Sequence, residues 1–160
     1  MSRVSLHDAC MEASDIALLQ PGHWLNDAVI HFAFEHMTHT ILNNHSSLLL
    51  LSPAIVSVIQ FLSDPIELHA LLGGVDLASR QLVFLPINDA DNAAVANAGS
   101  HWTLLVFARA TMTFHHFDSL ASVECIKVAR KVAARLSSVL SSYGLFLLLL
   151  SLMVMIDNNH

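Results

Sequence analysis

A histidine stands just ahead of one apolar run and an aspartate closes the next. The segments are Gly99-Ser100-His101-Trp102-Thr103-Leu104-Leu105-Val106-Phe107 and then Phe117-Asp118-Ser119. A hairpin turning at Arg109-Ala110 would pair residues whose numbers sum to 219, which puts His101 opposite Asp118. Residues facing each other across an antiparallel ladder sit roughly 4.5–5.5 Å apart at Cα, within hydrogen-bond reach of their side chains. A carboxylate bonded to an imidazole fixes its tautomer and stabilises the imidazolium, the arrangement of a general base serving a serine or cysteine nucleophile. Neighbouring strands also form His–Asp bonds for purely structural reasons. Spacing alone leaves both readings open.

The other reactive side chains narrow the chemistry. Two cysteines, Cys10 and Cys125, give neither a C-x-x-C ligand spacing nor a disulfide framework. Cys125 lies near a helix start, where the dipole lowers a thiol pKa. It follows Asp118 by only seven residues, so a strand end and a turn are expected to keep it from His101; Cys10 is a poorer candidate still. Eleven histidines invite a metal, but no H-E-x-x-H occurs, and His31, His36 and His39 show no i,i+4 pair. The expectation is surface histidines, no metal site and no cofactor.

The 160 residues, 54% apolar and 12% charged with a net charge of −6, suit one globular domain with a buried core. That charge argues against a phosphate-tracking nucleic-acid binder. Four of the seven basic residues (Lys127, Arg130, Lys131, Arg135) read as one solvated helix face. The first twelve residues lack the apolar core of a secretory signal, and the cysteine usage suits a reducing intracellular compartment, cytoplasm or nucleus.

Helices come first. Asn26 or Asp27 caps one whose buried stripe is Val29, Ile30, Ala33, Phe34 and Met37. Ser52-Pro53 opens a second through Leu62, and Asp64-Pro65 a third ending at Gly73-Gly74. Leu48 to Leu51 is too short to classify. Strands follow at Leu82 to Ile87, Trp102 to Ala108 and Thr113 to Asp118, with a polar loop from Asn88 to Ser100. Ser122 then caps an amphipathic helix carrying Val123, Ile126, Ala129, Val132, Ala133, Leu136 and Val139 on one side. This order predicts an α+β domain with a small, partly antiparallel sheet.

Four blocks, taken in order, carry more than the spacing does: Trp24-Leu25-Asn26-Asp27, Phe84-Leu85-Pro86-Ile87-Asn88-Asp89, His101 to Val106, and His116-Phe117-Asp118-Ser119. From about Leu18 to about Leu140 the chain resembles the ubiquitin-like-protein cysteine proteases, and within them the NEDD8-specific deneddylase branch of the sentrin-specific proteases. The resemblance implies a papain-like α+β fold of the ubiquitin-like-protease type. It makes His101 the general base and Asp118 its orienting carboxylate. Trp24 and Trp102 become the two tryptophans roofing a channel for the substrate's Gly-Gly tail; two flat rigid rings clamping an extended backbone admit glycine and exclude side chains. Core packing is the alternative for each tryptophan. Asp27 matches a substrate-contacting acid, though helix capping would explain it too, and Asn88-Asp89 with the following loop match a mobile substrate-facing loop. The implied partners are a ubiquitin-like modifier, NEDD8 ahead of SUMO, and its conjugates.

The resemblance also implies elements not found after the amphipathic helix: a further strand, an oxyanion-hole glutamine, and an Asp-Cys-Gly nucleophile. The expectation is a protease domain over residues 1–140, its C-terminal part missing, followed by a divergent apolar tail over 141–160. Such a chain would be a cysteine-type peptidase by family and inactive alone. Two other readings stand beside it. One is a non-catalytic module binding a ubiquitin-like modifier. The other is a fragment anchored in a membrane by Val139 to Ile156, a segment borderline in length and without basic flanks. The apolar run would otherwise fold onto the core.

Overall fold

The computed structural model describes residues 3–90, 99–142 and 152–155. Arg3–Leu6 (β1) and Ala9–Glu12 (β2) pair as an antiparallel hairpin, so a two-stranded ribbon precedes the helices expected to come first. A short helix, Ala13–Ala17 (α1), follows. The next helix, Asp27–His36 (α2), is capped by Asn26, whose Oδ1 accepts from Val29 N–H at 3.1 Å. The Asn26 Nδ2 donates to Asp15 Oδ1 at 2.8 Å, tying α2 to α1. Capping therefore does not account for Asp27, which is the first helical residue and exposed. A π-helical turn, Met37–Ile41, continues α2.

The short leucine run becomes a strand, Leu48–Leu50 (β3). Two helices with proline in the first turn follow, Pro53–Phe61 (α3) and Pro65–Leu72 (α4). Ser52 Oγ and Asp64 Oδ1 accept the first free N–H groups of each, as their sequence starts predict. Leu82–Asn88 (β4), Trp102–Ala108 (β5) and Thr113–Phe117 (β6) then form the sheet centre, and Val123–Ser142 (α5) packs behind it. The last described element is a strand, Leu152–Met155 (β7).

The five strands run in the order β3-β4-β5-β6-β7, with antiparallel pairing in the centre and parallel pairing at both ends. β7 corrects two expectations. A further strand does follow the amphipathic helix, and Val139 to Ile156 is no single helical segment, since Val139–Ser142 ends α5 and Leu152–Met155 lies along β6. A free strand edge of unpaired N–H and C=O groups takes a parallel partner after a helical crossover, which apolarity alone does not disclose. Residues 143–151 and 156–160 of the apolar tail lie outside the described residues. No described helix is long and apolar enough to cross a membrane.

Alternation along the strands sends Val83, Leu85, Ile87, Leu105, Phe107 and Phe114 to one face, where they join Ile59, Leu68, Leu72, Val132, Leu136 and Leu140 in the main core. The stripe expected of α5 is buried except at its start, where Val123 is exposed and Ile126 half-buried. Its basic face is not wholly solvated: Arg135 Nη1 donates to the Ile59 carbonyl at 2.9 Å and satisfies the end of α3. The α2 stripe departs further. Among its residues only Val29 is buried, while Ala33 and Met37 are exposed and Ile30 and Phe34 line an open groove with Pro86, Trp102, Leu104 and Phe117. α2 lies beside the opposite face of the sheet, and no described element closes over that groove.

Candidate active site

The β5–β6 connection has four residues rather than two, because Ala108 pairs with Thr113. Paired residues therefore sum to 221, and the expected register is off by two. His101 and Asp118 become diagonal neighbours instead of opposites. An even shift preserves the face of every side chain, and diagonal positions about 7–8 Å apart remain within reach of a long ring. His101 Nε2 lies 2.8 Å from Asp118 Oδ1, with both residues buried. The next diagonal repeats the pattern: His116 Nε2 lies 2.9 Å from Thr103 Oγ1.

Asp118 is held from three sides. Its Oδ1 also accepts from Leu120 N–H at 2.9 Å, and its Oδ2 accepts from Ser122 N–H at 2.8 Å. Burial works against ionisation here, but these backbone donors and His101 outweigh it and keep the carboxyl below the usual carboxylate range. An ionised carboxylate offers no hydrogen, so the proton of the pair sits on His101 Nε2. That leaves Nδ1 as the ring's lone-pair nitrogen, the atom able to take a proton.

A second carboxylate fixes the approach to His101. Asp89 Oδ1 accepts from the backbone N–H of Ser100 at 2.6 Å and of His101 at 3.0 Å, while Oδ2 accepts from Ser100 Oγ at 2.8 Å. Partial burial opposes this charge, yet the donors again hold the Asp89 carboxyl below its ordinary range. The clamp depends on Gly99, whose φ is +98° and whose missing Cβ would stand 1.8 Å from Asn88 Oδ1. The motif reading places Asp89 only in a loop and gives Gly99 no role. A glycine ten residues after an Asn-Asp pair was the available signal, and nothing local says the two ends meet. Residues 91–98 of that loop lie outside the described residues.

A cleft of about 410 Å³ lies at this end of the sheet, lined by Leu18, Trp24, Asn26, Asp27, Asn88, Ser100, His101 and Trp102, among others. Trp24 is 71% exposed, which removes core packing as its explanation. Trp102 is half-buried, and its Nε1 donates to the Leu25 carbonyl at 2.9 Å, fixing the segment before α2 against β5. The structure thus gathers four of the five candidate residues, Trp24, Asp27, His101 and Trp102, around one cleft. Asp118 lies behind His101 with its side chain fully buried.

The thiols are placed differently from expectation in one case. Cys125 does reach the pair: one donor atom each from His101, Asp118 and Cys125 all lie within 4.8 Å of one another. The reason is Asp118 itself, which draws in the N–H groups of Leu120 and Ser122 and folds the first turn of α5 over the strand ends. Proximity does not make Cys125 a nucleophile, because it is fully buried and burial pushes its thiol up. Cys10 lies in the β1–β2 hairpin, with Arg3 Nε donating to its sulfur at 2.7 Å. Glu35 completes a spacing that counting histidines misses: His31 and His39 flank it at i−4 and i+4, at 4.0 and 3.3 Å, and His7 stacks on His39 with ring centroids 3.5 Å apart.

No protein-family model matches the chain. Individual relatives do. The chain is 37% identical over 142 residues to sentrin-specific protease 8 of Rattus norvegicus, covering 88% of this chain and 64% of that protein. It is 32% identical over 120 residues to NEDD8-specific protease 1 of Arabidopsis thaliana, covering 75% and 52%. The chain therefore spans less than two thirds of the length of these relatives. Among solved structures, the C-terminal Ulp1 protease domain in complex with SMT3, the yeast ortholog of SUMO, superposes with a TM-score of 0.70 at 16% identity, over 99% of this chain and 69% of that one. That likeness shows the fold, and the sequence relationship shows the kinship. The sequence relationship places the chain in the ubiquitin-like-protein protease family, the family of the sentrin-specific and NEDD8-specific proteases.

Proposed function

We propose that this chain supplies the base, its orienting carboxylate and one wall of the tail channel of a cysteine peptidase that cleaves after the Gly-Gly terminus of NEDD8. The observation that carries the reading is the buried His101–Asp118 hydrogen bond at the edge of a cleft framed by Trp24 and Trp102. In that scheme Nδ1 of His101 takes the proton of an attacking thiol, and Asp118 stabilises the imidazolium that results. The tryptophans position an extended diglycine backbone, and Asp27 stands ready for a basic or amide group of the modifier. The name of one relative, NEDD8-specific protease 1, favours NEDD8 over SUMO. For the 160 residues alone the reading is binding without turnover, since the two thiols are a buried Cys125 and a Cys10 engaged with Arg3.

The test is titration of the 160-residue chain with NEDD8, followed by tryptophan fluorescence and by hydrolysis of a NEDD8 C-terminal fusion. The expected result is saturable binding that Trp24→Ala weakens at least tenfold and that NEDD8 lacking its two terminal glycines does not show. No fusion is cleaved. Equal binding by the truncated modifier overturns the tail channel, and cleavage of the fusion overturns the absence of turnover.

A further inference from the structure

Beneath the first turn of α5 is a cluster of buried polar side chains. His101 at the start of β5, Asp118 after β6 and Cys125 on α5 are 8%, 3% and 0% exposed, and bring donor atoms within 4.8 Å of one another. His116 adjoins them on β6. It is fully buried, and among the described residues its Nδ1 has no hydrogen-bond partner. Buried polar atoms are satisfied as a rule, and an orphan commonly marks a water or ion site. Neither Cys125 nor His116 has a part in the proposed peptidase chemistry.

We propose that His101, Asp118 and Cys125 form a three-residue binding site for a divalent transition metal of the zinc class. One sulfur, one imidazole nitrogen and one carboxylate oxygen form a ligand set that zinc favours over magnesium or calcium. Bonds of 2.0–2.3 Å in tetrahedral geometry place neighbouring donors about 3.3–3.6 Å apart, so a pair at the 4.8 Å limit closes by about 1.2–1.5 Å and the His101–Asp118 pair, now at 2.8 Å, opens by about half an ångström. The charges also balance. A dication with the Asp118 carboxylate and the Cys125 thiolate is neutral, and binding releases one proton, from the thiol. This gives the core a reason to hold a thiol beside a carboxylate, where a free thiolate is disfavoured.

Occupancy has a consequence for the base. A neutral imidazole has one lone pair, and the metal takes it whichever ring nitrogen binds, so His101 then has none left to accept a proton. That consequence rests on the peptidase reading; binding does not.

Co²⁺ titration of the 160-residue chain tests the site, because a thiolate ligand gives a charge-transfer band that the surface histidines cannot produce. The expected result is one equivalent of Co²⁺ with that band, displaced stoichiometrically by Zn²⁺. Cys125→Ser abolishes the band and lowers affinity at least tenfold, whereas Cys10→Ser leaves both unchanged. His101→Ala, at the cleft edge, lowers affinity tenfold or more and supplies the same reading if Cys125→Ser does not fold. Absence of the band in the unaltered chain, its survival in Cys125→Ser, or its loss in Cys10→Ser overturns the proposal.

Discussion

Asp118→Asn separates the carboxylate's two tasks, and its cost follows from the hydrogen bonds. Asp118 Oδ1 accepts from His101 Nε2 and Leu120 N–H, and Oδ2 accepts from Ser122 N–H, all at 2.8–2.9 Å. An amide has one acceptor oxygen. Placed at the Oδ1 position it keeps two of the bonds but turns its NH₂ toward the Ser122 N–H. Placed at Oδ2 it keeps Ser122 but sets NH₂ against the Leu120 N–H and requires the other His101 tautomer. At least one charge-assisted bond is lost in either orientation and a donor faces a donor, which costs about 2–3 kcal/mol. For a domain of this size that lowers Tm by about 4–12 °C. The sign with pH follows from the lowered carboxyl pKa: this stabilisation is present above the unfolded value near 4 and disappears as pH falls through the folded one. Urea unfolding at pH 7 and at successively lower pH below 4 should therefore show the variant and the original chain drawing together as pH falls. Amide hydrogen exchange supplies the local check: Leu120 or Ser122 exchanges faster in Asp118→Asn but not in His101→Ala. A variant within about 0.5 kcal/mol at pH 7, with both amides still protected, would refute the account of Asp118 as the anchor of turn and ring together.

Gly99→Ala should cost about 2–3 kcal/mol, because it combines a positive φ with a Cβ inside Asn88, whereas Gly74→Ala, with nothing within 4 Å, should stay within about 0.5 kcal/mol in the same denaturation series. Buried His116 binds its proton less readily than an unfolded histidine, with burial as the largest cause. Its contribution is therefore complete above the unfolded pKa near 6.5 and is lost as pH falls below it, by up to about 1.4 kcal/mol per pH unit. His116→Gln should flatten the stability–pH slope between pH 6.5 and 5, and an unchanged slope there would rule this out.

How far residues alone disclose this molecule depends on whether the deciding contact is local. Caps and prolines at Ser52-Pro53 and Asp64-Pro65 act on their own helices, and those starts are readable. So are the central strands, whose alternation needs no knowledge of partners. The hairpin length is a different matter. Met112 takes a positive φ and its N–H bonds the Arg109 carbonyl, closing a four-residue connection where a two-residue turn was the simplest guess. The His101–Asp118 contact survives that error because a shift of two changes the neighbour and keeps the face. A shift of one would have sent one of the pair to the side where Trp102 and Phe117 lie. Face is thus the robust inference from strand sequence, and register the fragile one.

What stayed hidden is tertiary. Asp89 reaches Ser100 and His101 across eleven and twelve residues of chain, and no local rule announces a carboxylate that caps a distant strand entrance. Seven residues separate Cys125 from Asp118, but separation along the chain bounds distance only from above. The turn those residues make is tightened by Asp118 accepting the Leu120 and Ser122 N–H groups. The same carboxylate therefore orients His101 and draws the thiol beneath it. A residue that must be rigid to hold a base in place must take its rigidity from the backbone nearby, and whatever follows on that backbone is drawn toward the base. In this chain that neighbour is a cysteine, which is why the peptidase half-site and the proposed metal site share the same two residues.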